Sequence, residues 1–388
     1  MSNALDAIAP KILARGMLQF RQQAIMPRLV NSDFAAEAAQ KGDTIDIPLA
    51  KSIAVEDVVP SHTPPAPADH SAQTVSIKLD NWKRAAFYLT DKELLQVDAD
   101  HNYIPLHMQE AVAALASAVN HSVLSLYKQT PHVLGKLGED LFSTAEADAN
   151  KTTSGIKPVI AARKILNKNG APRQGRAGVL SVEDEANLMA LPQFADAHRA
   201  GDTSVSIDGE VGRKYGIDWY GNDDVIYHRQ ISDDTMTPSK SYAKSDTSLA
   251  LASVDTPLTA GDVLVADGEL LATVKEVTAY SATAKTASVT LALPLTKAIT
   301  NATQVKRGTH HYNNLVFHAD AFALAMRPLT SATASTGLGS RIMAVTDPDS
   351  GLSMRLEISR QYKQTVWEFD VLWGVAMVRP EWAVRVVG

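Results

Sequence analysis

The stretch that decides the fold runs Gly42-Asp43-Thr44-Ile45-Asp46-Ile47-Pro48-Leu49 and returns as Val75-Ser76-Ile77-Lys78-Leu79, with a proline-rich tip between its two arms. Both arms alternate polar and apolar residues, which is typical of strands with one buried face. The sequence therefore predicts a long two-stranded ribbon with these inward-facing side chains: Ile45, Ile47, Leu49, Val75, Ile77 and Leu79. An isolated hairpin is only marginally stable in water. Because no adjacent sequence is expected to cover the apolar face, we expect these side chains to contact another subunit.

The composition indicates a folded protein of two or three domains. The 388 residues are 45% hydrophobic and 21% charged, which are globular values. A net charge of −6 excludes a global basic field that would attract nucleic acid. The absence of cysteine excludes disulfides, thiolate metal sites and cysteine nucleophiles. The sequence has neither a secretory signal nor an apolar run long enough to span a bilayer, so we expect no membrane association.

Helical periodicity marks two segments in the first third of the chain. Residues 3–25 place apolar side chains at helical spacing beside mostly basic charges. This pattern fits either a surface helix or an arm that lies on a neighbour or a polyanion. The strongest helix spans about 104–128, with an apolar stripe formed by Ile104, Met108, Val112, Leu115, Val119, Val123 and Leu126. Small alanines between these residues favour packing on a sheet over a coiled coil.

The rest of the chain divides by composition. Residues 156–228 alternate helix and strand patterns, which is typical of an α/β or α+β domain. Residues 231–309 contain no Phe, Trp or His, and their short apolar runs between turn signals predict a small inserted all-β module. The C-terminal part is β-rich again, with a turn-rich hairpin connection over residues 346–351.

Short motifs that suggest chemistry are few and weak. Ser241-Tyr242-Ala243-Lys244 matches a Ser-x-x-Lys nucleophile pattern, but it lies in a Ser/Thr-rich linker without the companion motifs. Asp347 opens a segment that begins like a calcium loop, yet its twelfth position is Ile358 in place of Glu, which favours a turn. His310 and His311 lack metal-ligand spacing.

Two acid pairs, Asp223-Asp224 and Asp233-Asp234, are adjacent in sequence. Neighbours on a strand point to opposite faces, which is a poor arrangement for general acid–base catalysis. We therefore predict no catalytic residue, no cofactor-binding residue and no metal site. The absence of such motifs is itself weak support for a structural role.

The order of these parts resembles the major capsid protein of tailed bacteriophages, and more narrowly the podovirus-type coat protein with an inserted β domain. Two phrases carry the resemblance, namely the run Asn314-Leu315-Val316-Phe317-His318-Ala319-Asp320 through Leu329 and the tail from Gly351 through Gly374. The resemblance covers nearly the whole chain. It implies an α+β fold with an N-terminal arm, an extended loop, a peripheral domain with a long spine helix, an axial domain and a small barrel-like insertion.

The resemblance also implies the domain boundaries. The N-terminal arm would comprise residues 1–40, and the extended loop would comprise residues 41–82. The peripheral domain would contain residues 83–155 and 341–388, with the spine helix at about 104–128. The axial domain would contain residues 156–230 and 310–340, and the inserted β domain would be residues 231–309.

For function, the resemblance implies a non-enzymatic subunit that self-assembles into an icosahedral shell around double-stranded phage DNA. Hexamers and pentamers of the chain would form the shell, with a portal protein as a further partner. Because the chain starts directly at the arm, a separate scaffolding protein is expected. Arg15 and Arg21 are candidates for non-specific contact with packaged DNA in the interior. The implied location is the virion, after assembly in the host bacterial cytoplasm.

Two other function classes stay open. Another phage structural protein, from the tail or the capsid decoration, would form rings or trimers in place of closed shells. A hydrolase or carbohydrate-active enzyme with an accessory β module would be a compact monomer with a deep pocket and convergent acids.

Overall fold

The computed structural model describes residues 2–32, 44–49, 73–92, 106–142, 155–195, 211–327, 340–347 and 351–388. They belong to two compact units. The first unit is built from the described parts of residues 1–19, 32–115 and 323–378, and the second from residues 20–31, 116–322 and 379–388. Strands predominate over helices, so the fold class is α+β, as the sequence predicts. The proline-rich tip of the ribbon lies outside the described residues.

The helices of the described residues are α1 (Ser2–Gln23), α2 (Ile25–Leu29), α3 (Leu106–Leu124), α4 (Lys157–Lys168), α5 (Val182–Met189) and α6 (Pro192–Ala195). The long helix that the sequence predicts is α3, and a 3-10 turn at Ser125–Gln129 follows it. Its stripe residues Met108, Val112 and Val119 are almost fully buried, as the alternating three- and four-residue spacing requires. No helix in this part of the chain has the length and apolar content needed to cross a bilayer.

The strands up to the barrel are β1 (Thr44–Leu49), β2 (Gln73–Lys78), β3 (Asn81–Thr90), β4 (His132–Gly135), β5 (Arg176–Leu180), β6 (Arg213–Lys214), β7 (Ile217–Gly221) and β8 (Tyr227–His228). The barrel strands are β9 (Thr235–Pro238), β10 (Ser248–Ala252), β11 (Val263–Ala266), β12 (Glu269–Ser281), β13 (Thr286–Leu291) and β14 (Val305–Arg307). The last strands are β15 (His311–Tyr312), β16 (Asn314–His318), β17 (Phe322–Arg327), β18 (Ser340–Thr346), β19 (Ser353–Gln361), β20 (Gln364–Met377) and β21 (Ala383–Val387).

The first unit is organised around a five-stranded sheet in which β20 is central. β20 pairs with β17, and it is antiparallel to both β19 and β3. The inner face of this sheet buries Leu356, Trp367 and Phe369. A Cβ on Gly16 of α1 would lie 3.3 Å from Met354 and 3.6 Å from Val112, so α1, α3 and the sheet share one core.

The second unit contains a six-stranded sheet in the order β4-β21-β16-β5-β7-β6. The pairs β4–β21 and β5–β7 are parallel, and the other pairs are antiparallel. Helix α4 packs on β4 and β21, whereas α5 packs on β5 and β7. A Cβ on Gly178 of β5 would lie 2.6 Å from the Trp219 ring of β7, so a side chain at this position would displace the tryptophan from the core.

Capping explains where α5 begins. Ser181 stands at the N-cap in an extended conformation, and its hydroxyl oxygen accepts a hydrogen bond from the Asp184 backbone N–H. The Asp184 carboxylate also accepts hydrogen bonds from the Ser181 hydroxyl and from the Asn314 side-chain amide of β16, both at 2.7 Å. This buried polar cluster fixes the helix on the sheet.

Strands β9 to β14 close into a six-stranded barrel inside the second unit. The barrel lies within residues 231–309, where the sequence predicts an all-β module. Aliphatic side chains such as Leu249, Leu264, Val274 and Val289 fill its interior. Register shifts in β12 mark β-bulges, which bend a long strand and so help a small barrel to close.

Two strands pair in a different sheet from the one that the predicted domain boundaries imply. The C-terminal strand β21 was expected in the peripheral domain, within residues 341–388, but it pairs with β16 and β4 in the second unit. Strand β17 was expected in the axial domain, within residues 310–340, but it belongs to the sheet of the first unit. Strand pairing is set by contacts between distant segments, so a boundary placed by local composition cannot locate it.

Candidate interaction surfaces

The residues that resemble a nucleophile motif lie on the barrel surface. Ser241 and Lys244 are both exposed, and Tyr242 between them forms an isolated bridge with Ile299. At the two ends of the segment that begins like a calcium loop, the Gly351 N–H donates a hydrogen bond to the Asp347 carbonyl at 3.0 Å. Among the described residues, no group of three His, Asp or Glu side chains is arranged to bind a metal ion.

One acid of each predicted pair has structural partners. The Asp224 carboxylate accepts a hydrogen bond at 2.8 Å from the Asn120 amide of α3, and a second one from the Ser117 hydroxyl. The Asp234 carboxylate accepts hydrogen bonds from the backbone N–H and the hydroxyl of Thr256, which holds its pKa below the ordinary value against the effect of burial. Asp224 and Asp234 therefore stabilise loops.

Asn120 ties the N-terminal segment to α3. Its side-chain oxygen accepts a hydrogen bond at 3.1 Å from the buried Met26 N–H of α2, and its amide donates to the Gln23 carbonyl at 3.1 Å. Met26 is fully buried. The segment after α1 is thus fixed to the same chain at this point, so it does not form a free arm there.

A buried arginine joins the barrel to the six-stranded sheet of the second unit. Arg385 of β21 is fully buried, and its guanidinium donates at 2.7 Å to the Gly261 carbonyl, which lies just before barrel strand β11. The guanidinium also lies 4.7 Å from the centre of the Tyr127 ring. Burial lowers the pKa of Arg385 to about 10, so the group remains a cation near neutral pH.

His311 completes this contact. The Arg385 Nη2 atom lies 2.8 Å from His311 Nε2, and His311 Nδ1 lies 2.7 Å from the Thr309 carbonyl. Because a carbonyl only accepts, Nδ1 carries the proton and Nε2 accepts from the arginine. Burial, and then the charge of Arg385, lower the pKa of His311 to about 3. This histidine is therefore a neutral structural acceptor.

Sequence reasoning missed this polar layer. The available signal was a single arginine inside the otherwise apolar strand Ala383-Val384-Arg385-Val386-Val387. A charged side chain in such a strand is retained when a partner satisfies it. A second buried cation, Arg307, lies 3.8 Å from the Asp262 carboxylate in the same region.

The ribbon base is where the structure corrects the sequence interpretation. In β1 and β2, Ile45 lies opposite Ile77 and Ile47 lies opposite Val75, which is the predicted alternation. Four of the six predicted contact residues are at most 6% exposed, namely Ile45, Ile47, Ile77 and Leu79. They pack in one cluster with Ala323 and Ala325 of β17 and with Val378. The expectation that this face lacks cover within its own chain is therefore wrong for the described residues.

Gly374 allows the ribbon to dock on the sheet of the first unit. A Cβ at this position of β20 would overlap the Lys78 carbonyl at the end of β2. Leu49 and Val75, the other two predicted contact residues, are only partly buried. Contact with a second subunit stays a prediction for Leu49 and Val75, because the four buried side chains have no surface to offer.

The outer face of the five-stranded sheet exposes two large aromatic side chains. We define the outer sheet face by Trp82, Arg84, Tyr88, Glu368 and Arg355, which alternate with inward-facing residues on β3, β20 and β19. Trp82 and Tyr88 are each 63% exposed. Large aromatic side chains that point into solvent are typical of interaction sites.

Charged groups between the two aromatic residues are ordered. Arg84 lies 3.1 Å from Glu368, and the Arg355 Nε donates to Asp370 at 2.8 Å. The Trp82 indole N–H also donates to Asp370, at 3.2 Å. The outer sheet face is therefore a preorganised surface with an ionic centre and aromatic ends.

The predicted DNA-contacting arginines lie on α1. Arg15 is exposed and Arg21 is partly exposed. The opposite side of α1 buries Ile12, Met17 and Phe20. This arrangement is that of an amphipathic surface helix, and contact of Arg15 or Arg21 with DNA stays a prediction.

A cavity of about 390 Å³ lies at the β6–β7 edge of the second unit. Glu185, Arg213 and Asp218 contribute to its walls. Asp218 lies 3.6 Å from Arg213, and the Glu185 carboxylate accepts a hydrogen bond from the Gly221 N–H. Both acids thus have structural partners, unlike the convergent acids that a hydrolase site requires. A second cavity, at the barrel, measures about 60 Å³.

Comparison with known proteins gives a likeness of structure only. No family model and no curated protein matches the sequence. The chain is similar to a solved structure titled "Mycobacterium phage Che8", with 15% identity, a TM-score of 0.48 and coverage of 94% of this chain and 90% of that chain. For the "Capsid structure of the Cyanophage P-SCSP1u", identity is 12%, the TM-score is 0.47, and coverage is 94% and 87%. For a "virus-like particle from Pyrococcus furiosus", identity is 7%, the TM-score is 0.44, and the match covers 97% of this chain and 97% of that chain. Phage capsids are among the structural neighbours of this chain.

Proposed function

We propose that this chain is the major capsid protein of a tailed bacteriophage, whose copies assemble into an icosahedral shell around double-stranded DNA. The observation that carries the proposal is the outer sheet face, where Trp82 and Tyr88 are exposed on a sheet whose other face is core. Two aromatic side chains exposed on the same face of one strand offer apolar area that an assembling subunit can bury against a neighbour.

The docked ribbon base supports the same function. Strands β1 and β2 are fixed on their own sheet, and residues 50–72 connect them. This connection is far longer than the usual hairpin loop of about 2–5 residues. We infer that the extended loop, residues 41–82, contacts a neighbouring subunit through residues 50–72.

The sequence resemblance supplies the remaining roles. The first unit would act as the peripheral domain, the six-stranded sheet of the second unit as the axial domain, and the barrel as the inserted domain. Hexamers and pentamers, a scaffolding protein, a portal protein and non-specific contact with packaged DNA are parts of this proposal. So are a location in the virion, assembly in the host cytoplasm and the absence of enzymatic activity.

The size of the assembled particle tests the proposal. The full chain would be expressed with and without a candidate scaffolding protein and analysed by sedimentation and negative-stain microscopy. Closed shells are the expected product. A compact monomer or dimer at every concentration, with scaffold supplied, would contradict the proposal, and rings or trimers would favour a tail or decoration protein.

A loop deletion tests the role of the ribbon separately. Replacing residues 50–72 by a short Gly/Asn turn should leave a folded subunit, because β1 and β2 are held by their own sheet. Assembly should fail or weaken strongly. Normal particles from this variant would show that the connection does not hold neighbouring subunits together.

A further inference from the structure

Charge is distributed unevenly along the six-stranded sheet of the second unit. Residues 155–180, which contain α4 and β5, carry six Lys or Arg residues and no Asp or Glu. Residues 181–195 and 211–225, which contain α5, β6 and β7, together carry six acids and two cations. The net charge of the protein is −6, so a wholly basic segment of this length stands out from the rest of the chain. It is followed by a mainly acidic segment, so the sign of the charge changes along this part of the sequence.

The fold places the charges of α4 and those of α5 toward opposite ends of the sheet, while Arg176 lies on β5 and Arg213 and Lys214 lie on the edge strand β6. Helix α4 packs on β4 and β21, the first two strands in the sheet order, and α5 packs on β5 and β7, the fourth and fifth. With a strand spacing of about 4.8 Å, the two helices are centred roughly 14 Å apart across the sheet. We define the basic end by Ile160, Lys164 and Lys168 on α4, and the acidic end by Val182, Glu183 and the nearby Asp223.

The side chains at both ends point into solvent. Ile160, Lys164 and Lys168 are exposed and recur every four residues, so they form one stripe on α4. Glu183 at the start of α5 and Asp223 after β7 are also exposed. None of these four charged residues forms an ion pair with another described residue, whereas the cation Arg213 near the acidic end is paired with Asp218.

Each end also exposes one aliphatic side chain beside its charges. Ile160 is 52% exposed at the basic end, and Val182 is 55% exposed at the acidic end. Apolar side chains next to charged ones are common in protein interfaces. The two ends therefore carry opposite charge, and each exposes one apolar side chain.

We propose that the basic end of one copy binds the acidic end of the next copy, so that the chain associates head to tail through this sheet. The proposal rests on the proposed capsid function and names the contact between neighbouring subunits of one capsomer. A head-to-tail contact between unlike surfaces generates a closed ring when the rotation per subunit closes, which hexamers and pentamers require. Complementary charge at such a contact fixes the register and disfavours pairing of like ends.

Charge reversal with compensation tests the proposal. One variant carries Lys164→Glu with Lys168→Glu, and a second carries Glu183→Lys with Asp223→Lys. Each variant alone presents the same sign at both ends, so we expect its self-association, measured by sedimentation velocity, to require roughly tenfold higher concentration than wild type. An equimolar mixture of the two variants, and a single chain with all four substitutions, should regain association.

The control variant Lys275→Glu with Lys306→Glu changes the net charge equally on exposed barrel residues and should associate like wild type. Circular dichroism checks the fold of each variant. If the lysine reversal lowers the melting temperature, the milder variant Lys164→Gln with Lys168→Gln is used in its place. We expect this variant to need a roughly threefold higher concentration than wild type for self-association.

The outcomes separate the two claims. If the mixture and the fourfold variant associate no better than the single-end variants, the head-to-tail contact is wrong, even when wild type forms shells. If only the lysine reversal weakens assembly, the basic end binds another partner, such as nucleic acid, and the proposal is again overturned. Restored pairing without any shell would support the contact and refute the capsid function.

Discussion

Arg385 and His311 lie 2.8 Å apart, nitrogen to nitrogen, at a site where neither side chain reaches solvent. One residue belongs to the last strand of the six-stranded sheet, and the other lies at the exit from the barrel. The pair holds the barrel on the sheet through one charged donor and one neutral acceptor, and it leads to the first two predictions.

Truncation of the arginine should weaken the second unit. Arg385→Ala leaves the Gly261 carbonyl and His311 Nε2 without their donor and creates a void, so we expect a loss of about 3 kcal/mol in the free energy of unfolding. Arg385→Met fills most of the volume and should cost less. Urea denaturation measures both. The exposed Arg229→Ala is the control, and a loss below about 1 kcal/mol for Arg385→Ala would contradict the structural role.

Acid should destabilise the fold through His311. Its pKa is about 3 in the folded chain, against about 6.5 in the unfolded chain. Between these pH values the unfolded chain binds a proton that the folded chain excludes, so stability falls as pH falls below about 6.5. The contribution of this one group approaches about 1.4 kcal/mol per pH unit.

Unfolding by urea between about pH 4.5 and 7.5 measures this slope. His311→Gln removes the titrating group, and its stability should depend less steeply on pH than that of wild type. Other titrating groups, including His228, whose pKa burial also lowers, contribute to both proteins and cancel in the comparison. Equal slopes for wild type and variant would refute the assignment.

Loss of Asn120 should release the segment after α1. Asn120→Ala leaves the buried Met26 N–H without its acceptor and leaves the Asp224 carboxylate with Ser117 as its donor, and we expect a cost of about 2–3 kcal/mol. Hydrogen exchange at the Met26 amide should accelerate. The exposed Asn301→Ala serves as the matched control and should change neither quantity. Unaltered protection of Met26 in Asn120→Ala would speak against the anchor.

Burial of the ribbon base against its own sheet should stabilise the isolated subunit. Ile77 is fully buried against its own chain, so Ile77→Ala should lower the stability of the monomer by about 3 kcal/mol. Its neighbour on the same arm, Val75, is partly exposed, and Val75→Ala should cost below about 1 kcal/mol. Thermal unfolding of the unassembled subunit distinguishes the two. Similar small effects for both variants would restore the idea that only a neighbour covers this face.

The outer sheet face should matter for assembly and not for folding. Tyr88→Ser removes an exposed ring, so monomer stability should stay within about 0.5 kcal/mol of wild type while the yield of shells falls. Tyr362→Ser removes an equally large ring that is 85% exposed at the β19–β20 turn, and it is the control. Full assembly of Tyr88→Ser would remove the main support for the proposed function.

Local pattern was enough to predict several elements. The three- and four-residue spacing from Met108 to Val123 produces α3, because that spacing alone places the side chains on one helix face. The alternation in residues 44–49 likewise produces β1 with Ile45 and Ile47 inward. The range 231–309, which the sequence predicts to be an all-β module, also contains the observed barrel strands.

The local sequence pattern could not identify the partner that each buried side chain contacts. Ile45 and Ile77 meet Ala323 and Val378, which are hundreds of residues away in sequence. Arg385 meets Gly261 and His311 only because β21 enters the second unit. Nothing near these residues in sequence indicates their partners.

By itself, the sequence determined the period of each helix and strand, and therefore which apolar side chains lie together on one face of that element. Only the tertiary structure decided that the ribbon base is covered by its own sheet, and that the charges of α4 and α5 lie toward opposite ends of another sheet. The physical reason is that side-chain direction follows from backbone geometry over a few residues, whereas burial depends on contacts that form between distant segments during folding.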